Sequence, residues 1–170
     1  MSTEIKYGLI TGIAVCIWVF IEYLLGFHTA NPEAGEFTGY FAFIIPIVTI
    51  FLGIKEKREM HYDGLISVSH GVKTGILISL YAGIISSVFY VVYYRFINPD
   101  YINIAIQFEK QRLETLGRSP AEISAQIEQT RMMFSPVYQF IAGLISTLLT
   151  GLLISIVLSL LLKRKGKVIY

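Results

Sequence analysis

The chain has 170 residues, of which 54% are hydrophobic and only 15% are charged, and its formal net charge at pH 7 is +2. This composition is too apolar for a soluble domain of the same length and indicates an integral membrane protein. So small a net charge gives no support for a nucleic-acid partner, and a single cysteine, Cys16, excludes a disulfide within these residues.

Four apolar runs follow one another along the chain and predict four membrane-spanning helices. They cover residues 7–25, 37–54, 74–97 and 137–162. Each reaches the roughly 17 to 25 residues that are needed to cross about 30 Å of hydrocarbon. The expected fold is therefore all-α, a four-helix transmembrane bundle in which residues 1–170 form one integral membrane domain.

Lysine and arginine residues lie unevenly around these runs. Lys6 precedes the first run, four basic residues lie between the second and third, and a basic stretch from Lys163 to Lys167 follows the fourth. The connection 26–36 has no lysine or arginine. Because basic residues favour the cytoplasmic side, both termini are expected to be cytoplasmic.

The long connection between the third and fourth runs, about residues 100–134, predicts a helical hairpin outside the cytoplasm. Gly117 is a helix stop, and Ser119, Pro120 and Glu122 have the order of a capping box with proline in the first turn. Opposite charges alternate along both predicted helices, which is typical of a solvated surface.

Small residues recur at every fourth position in three of the runs. Helical periodicity places each series on one stripe, where missing side-chain bulk lets another helix come close. We expect these stripes to face the inside of the bundle, since a pore lining would use more ionisable or amide groups. The residues are Gly8 and Gly12; Gly71, Gly75, Ser79 and Gly83; and Gly143, Thr147, Gly151, Ser155 and Ser159.

Glu22, in the stretch "CIWVFIEYLLG", is the acidic residue inside the first run. A carboxylate that faces lipid costs roughly 2 to 3 kcal/mol near the bilayer centre, so Glu22 should point inward. Arg95 lies in the same leaflet, and the two form a candidate intramembrane polar pair. The pair would be a structural clamp, whereas Glu22 alone would be a proton or substrate site. Aromatic residues expected at the same depth predict an interfacial belt: Tyr23, Phe37, Tyr40, Tyr90, Tyr93 and Tyr94.

Four stretches distributed over nearly the whole chain carry a family resemblance. They are "GLITGIAVCIWVFIEYLLG", "HYDGLISVSHGVKTGILISL", "YYRFINPD" and "LLTGLLISIVLSLLLKRK". Together they resemble the bacterial membrane family known as domain of unknown function 4199. The resemblance implies the same fold and a bacterial inner membrane, and it supplies no catalytic residue because that family has no established activity.

The sequence contains no recognisable catalytic, cofactor-binding or metal-binding motif, and His28, His61 and His70 have no spacing that predicts one. We therefore expect a protein that is not an enzyme and has no cofactor. The favoured function is a structural or accessory subunit in the lipid bilayer, assembling through its glycine stripes with itself or with another membrane protein. The alternative is a transporter or channel component that uses Glu22.

Overall fold

The computed structural model describes residues 1–164, which fold into helices joined by short connections. A 3-10 turn, Gly39–Phe43, joins α2 to α3, and a π-helical turn, Tyr93–Ile97, ends α4. The helices are α1 (Thr3–Leu24), α2 (Pro32–Thr38), α3 (Ile44–His61), α4 (Val68–Val92), α5 (Tyr101–Thr115), α6 (Pro120–Met133) and α7 (Pro136–Leu162).

Four helical segments are long and apolar enough to cross a membrane: Thr3–Leu24, Pro32–His61, Val68–Ile97 and Pro136–Leu162. They correspond to the four predicted runs, and their length and composition are those of a membrane protein. The third begins six residues earlier than the predicted residue 74 because its start is set by a cap: the Ser67 hydroxyl accepts a hydrogen bond from the His70 amide at 3.3 Å.

The short helix α2 was not predicted, because five of its seven residues lie in the connection 26–36 and only the last two belong to the second apolar run. A local signal for it exists. The Asn31 side chain accepts a hydrogen bond from the Ala34 amide at 3.3 Å, and Pro32 occupies the first turn. Asparagine followed by proline is a common helix start.

Helix α4 packs against α7, α1 and α3. Its contact with α7 is a ladder of small residues in which each rung pairs a glycine on one helix with a serine or threonine on the other. A Cβ atom added to Gly75 would lie 2.7 Å from the Ser155 Cβ, too close for both to be accommodated. The rungs are Gly71 with Ser159, Gly75 with Ser155, Ser79 with Gly151, Gly83 with Thr147, and Ser87 with Gly143.

The stripe on α1 also lies between helices. An added Cβ at Gly8 would lie 3.0 Å from the Ile78 carbonyl oxygen, and one at Gly12 would lie 2.8 Å from the Ile85 Cβ. Both glycines therefore let α1 approach α4 closely, which increases the number of van der Waals contacts between the two helices.

Polar contacts join the helix ends near the N-terminus. Lys6 Nζ lies 2.6 Å from Glu56 Oε2, and Lys57 Nζ lies 2.8 Å from Glu4 Oε1. Two ion pairs therefore connect α1 with α3. The buried Arg58 donates to the carbonyl of Leu162, the last residue of α7, at 3.2 Å. The start of α1 and the ends of α3 and α7 therefore meet at one end of the molecule.

Helices α5 and α6 lie at the other end, after the π-helical turn, and contact each other. Gly117, with φ of +68°, turns the chain between them. Ser119 and Glu122 form the capping box that the sequence predicts: the Ser119 hydroxyl accepts from the Glu122 amide at 3.3 Å, and the Glu122 carboxylate accepts from the Ser119 amide at 2.8 Å.

Candidate functional site

Glu22 lies on the inward face of α1, where it is only 3% exposed. Its Oε2 atom lies 3.6 Å from His28 Nε2. Its Oε1 atom is buried and has no hydrogen-bond partner within the described part of the chain. A buried carboxylate oxygen without a donor is costly, so this atom is the strongest indication of a functional group in the molecule.

The predicted pair of Glu22 with Arg95 does not form, and that prediction is wrong. Arg95 lies in the π-helical turn and is exposed, without an ion pair to Glu22. The physical reason is the direction of the side chain. Tyr93 is completely buried, and Arg95, two residues further, lies on nearly the opposite side of the same helical turn.

His28 reaches Glu22 because α1 ends in a glycine turn. Gly26 has φ of +78°; its amide donates to the Tyr23 carbonyl at 3.0 Å, and the Phe27 amide donates to the Glu22 carbonyl at 3.0 Å. These two bonds are those of a Schellman motif, which reverses the chain over the last turn of the helix. His28 then follows directly above Glu22.

A hydrogen-bond network continues from His28 to α4. The Asn98 side-chain Nδ2 donates to the Tyr93 hydroxyl at 3.1 Å, and Tyr93 Oη lies 2.7 Å from His28 Nδ1. Since the hydroxyl accepts from Asn98, we assign its own proton to the bond with His28 Nδ1. His28 then carries its proton on Nε2, the nitrogen that faces Glu22.

Burial lowers the pKa of His28, which lies in the connection 25–31 between two candidate spans, while the Glu22 charge acts in the opposite direction and is the weaker of the two effects. The imidazole is therefore neutral at pH 7. The contact between Glu22 and His28 is a polar contact of a carboxyl group with a neutral N–H group, not an ion pair, and it leaves the Glu22 carboxyl group without a counter-ion nearby.

Tyr93 lies inside the structure, although the sequence pattern assigns it to an interfacial belt. It is 0% exposed, and its ring makes edge contacts with Tyr23 at 5.9 Å, His28 at 5.7 Å and Tyr101 at 6.3 Å between centroids. Phe37 and Tyr40, in contrast, are exposed. Tyr93 thus supports the polar network from the protein side.

An open cavity of about 600 Å³ lies beside this network, and His28 and Tyr101 form part of its wall. The cavity is bounded by the connection that follows α1, by α2, α5 and α6, and by the first half of α7. Glu22 lies behind His28 and outside the lining. The site therefore has two parts: the buried network of Glu22, His28, Tyr93 and Asn98, and a cavity that reaches the network at His28.

The sequence pattern identifies Glu22 and misses its partners. A signal for His28 exists in "LLGFH", where glycine after a helical run predicts a turn that folds the chain back over the helix. Tyr93 and Asn98 have no comparable signal, because their position depends on the π-helical turn and on the register between α1 and α4.

Comparison of the chain with curated proteins and with solved structures gave no match. A family model described as "Protein of unknown function (DUF4199)" matches residues 6–164. These residues include the four long helices except for the first three residues of α1, together with α5, α6 and the network around Glu22. The chain therefore belongs to the DUF4199 family, for which no biochemical activity is assigned.

Proposed function

We propose that this chain is a multi-pass protein of a bacterial inner membrane, in which the four long helices form a transmembrane bundle. Both termini are cytoplasmic, and α5 and α6 form a hairpin on the outer side. Lys6 and Lys57 lie beside the beginning of α1, and Lys163 follows the last residue of α7 at the same end of the molecule, which supports this orientation. Glu22 and the cavity then lie toward the outer surface.

The function we propose is that of a transporter or channel component in which Glu22 binds and releases a proton or meets a charged solute. The observation that carries the proposal is the buried Glu22 Oε1 atom, which has no donor among residues 1–164. A proton or a cation at this atom would remove the cost of the unpaired oxygen.

The small-residue stripes do not favour an accessory role over this one. Assembly through them requires that they face outward, but α4 uses its stripe against α7, and α1 uses Gly8 and Gly12 against α4. The packing signal is thus explained within one chain. A partner would have to use another surface.

Covalent labelling with dicyclohexylcarbodiimide tests whether Glu22 exchanges a proton. This apolar reagent reacts with a protonated carboxyl group: the acid proton moves to a carbodiimide nitrogen, the carboxylate oxygen bonds to the central carbon, and an acyl shift gives a stable N-acylurea. We expect Glu22 to be labelled in native membranes, as measured by peptide mass spectrometry. Glu114, whose side chain is 53% exposed on α5, is the matched control and should be labelled much less.

Labelling of Glu22 no greater than that of Glu114 would contradict proton exchange at Glu22, because an ionised carboxylate does not supply the acid proton. The variant Glu22→Gln identifies the labelled peptide. A second variant, Glu114→Gln, should leave the yield at Glu22 unchanged.

A structural or accessory subunit is the second candidate, and one surface favours it. The outer half of α7 presents an apolar ridge at four-residue spacing, formed by Val137, Ile141, Ile145 and Leu149, each more than half exposed. Lipid or a membrane partner would cover this ridge. Mass spectrometry of the protein released from lipid nanodiscs distinguishes the two: a second protein retained at fixed stoichiometry supports the accessory role, and release of this chain alone opposes it.

A further inference from the structure

We propose that the outer cavity binds an organic monocation with an apolar, aromatic-sized body. This inference rests on the proposed function and names the class of solute. The volume of about 600 Å³ lies in the range of small-molecule sites, which are mostly apolar with a few polar groups that orient the ligand.

The apolar part of the cavity is rich in aromatic side chains. Phe27 comes from the connection after α1, Tyr101 and Phe108 from α5, Phe134 from the residue that follows α6, and Tyr138 from α7. Because they come from different sides, these rings can surround a ligand instead of offering one flat face. Aromatic faces attract organic cations through the ring quadrupole, and the attraction is larger in poorly hydrated surroundings.

The charged side chains of the lining are unbalanced toward the acidic side. Arg112 lies between Glu36 and Glu109, with Nη1 at 3.8 Å from Glu36 Oε1 and Nε at 3.5 Å from Glu109 Oε2. Among residues 1–164, the carboxylates and guanidinium groups of the lining are these two glutamates and this one arginine. One negative charge therefore stays uncompensated, since His28, the remaining titratable base, is neutral at pH 7.

The buried network adds to this potential. Glu22 is separated from the cavity by the His28 ring, and its carboxyl group has no counter-ion nearby. A positive ligand against His28 would be attracted by the ionised form of Glu22 through a medium of low polarity. The same field opposes a phosphate or carboxylate group, so a cation is the occupant that the charges fit.

An apolar groove connects the cavity to the outer flank of α7. The groove and the cavity share Tyr138, Ala142 and Ser146, and the groove continues to Leu149. In the proposed orientation this groove faces the outer half of the bilayer. An amphiphilic cation dissolved in the lipid can thus reach the cavity without crossing the water layer.

Two ions of the same shape and opposite charge provide the test. Tetraphenylphosphonium and tetraphenylborate are added to the purified full-length protein in detergent, and the midpoint of thermal unfolding is measured against concentration. We expect tetraphenylphosphonium to raise the midpoint in a saturable way, because a ligand that binds only the folded state stabilises it. Tetraphenylborate should not. Equal effects of both ions, or of neither, would overturn the proposal.

Charge-removing variants locate the site. The double variant Glu36→Gln with Glu109→Gln should bind tetraphenylphosphonium about tenfold more weakly. Glu114→Gln, on α5 but outside the lining, should bind as the parent does. Unchanged binding in the double variant would contradict the proposal.

Because the double variant also leaves Arg112 without its partners, a second variant changes volume and not charge. Ala105→Trp places a large side chain in the lining, and Ala121→Trp places the same side chain on exposed α6. Only the first should abolish saturable stabilisation. Binding unaffected by Ala105→Trp would place the ligand elsewhere.

The test of the ligand class and the test of proton exchange at Glu22 can fail independently of each other. If tetraphenylphosphonium binds while Glu22 resists the carbodiimide, the ligand class stands and proton exchange fails. If Glu22 is labelled and neither ion binds, proton exchange stands and the ligand class fails.

Discussion

Glu22 shares its surroundings with His28 and not with Arg95, and double-mutant cycles measure this difference. The variants Glu22→Gln and His28→Gln should be coupled by about 0.5 to 3 kcal/mol in the free energy of unfolding, because each changes the environment of the other. Glu22→Gln and Arg95→Gln should be additive within about 0.5 kcal/mol, because the two side chains share no partner.

The two cycles control each other, since both contain Glu22→Gln and are measured in the same detergent by equilibrium unfolding. A coupling to Arg95 as large as that to His28 would mean that Arg95 interacts with Glu22, and would contradict the arrangement described above. Arg95→Gln alone should have a small effect, as exposed substitutions usually do.

His28 gives the folded protein a dependence on pH. Its pKa is lowered by burial. Below about pH 6.5, His28 is therefore protonated in the unfolded chain while it is still neutral in the folded protein. Stability should therefore be full above this pH and fall as the pH is lowered toward the pKa of the folded state. The measurement is the thermal midpoint of the parent and of His28→Gln across this range.

The difference between the two curves isolates His28 from the other titrating groups. We expect the parent to lose more stability than His28→Gln on acidification. Parallel curves would mean that the imidazole is protonated as easily in the folded protein as in the unfolded chain.

At the scale of the helices, each rung of the ladder between α4 and α7 has room for a side chain larger than glycine on only one of the two helices. Gly151→Ser should destabilise the protein by about 1 to 3 kcal/mol, because two serines would then meet at one rung. Adding Ser79→Gly moves the bulk to the other helix and should restore much of the loss. Thermal unfolding in detergent measures both.

Gly39→Ala is the matched control, since a Cβ there meets no atom within 4 Å. It should change the midpoint little. If the double variant were no more stable than Gly151→Ser alone, the two residues would not share a rung, and the register of α4 and α7 would be different.

The helices were largely predictable because their signals are local. Fourfold spacing places Gly75 and Ser155 on single stripes whatever the partner helix, and Ser119 with Glu122 forms its cap within four residues. The pairing of each glycine with a hydroxyl residue was not predictable. It depends on the register between α4 and α7, and the sequence pattern of one helix does not determine that register.

The site was less predictable, because it is built from distant parts of the chain. Glu22 stands out as a charged residue within an apolar run. Tyr93 is one aromatic residue among several in the sequence, and it is buried by distant parts of the chain, Tyr23 of α1 and Tyr101 of α5 among them. The cavity requires α2, which is too short for a hydropathy signal. It also requires α5 and α6 to lie near the end of α1.

At the scale of the whole molecule, the even number of long helices and the basic end predict the orientation. A reporter that is active only in the cytoplasm should be active when it is fused after Tyr170 and silent when it is inserted at Gly117, in the turn between α5 and α6. Activity of both fusions would place α5 and α6 on the cytoplasmic side. The reverse of the expected pattern would mean that the protein has the opposite orientation and that the cavity lies on the cytoplasmic side of the membrane.

The link between the cavity and Glu22 is the central claim, and protection of Glu22 from carbodiimide tests it most directly. Glu22 labelling is measured in native membranes at increasing tetraphenylphosphonium, with tetraphenylborate as the control of opposite charge. A cation held against His28 should slow the labelling of Glu22 in a saturable way, whereas tetraphenylborate should leave it unchanged. Labelling that proceeds at the same rate at every tetraphenylphosphonium concentration would contradict the claim that one site joins the cavity to the buried carboxylate.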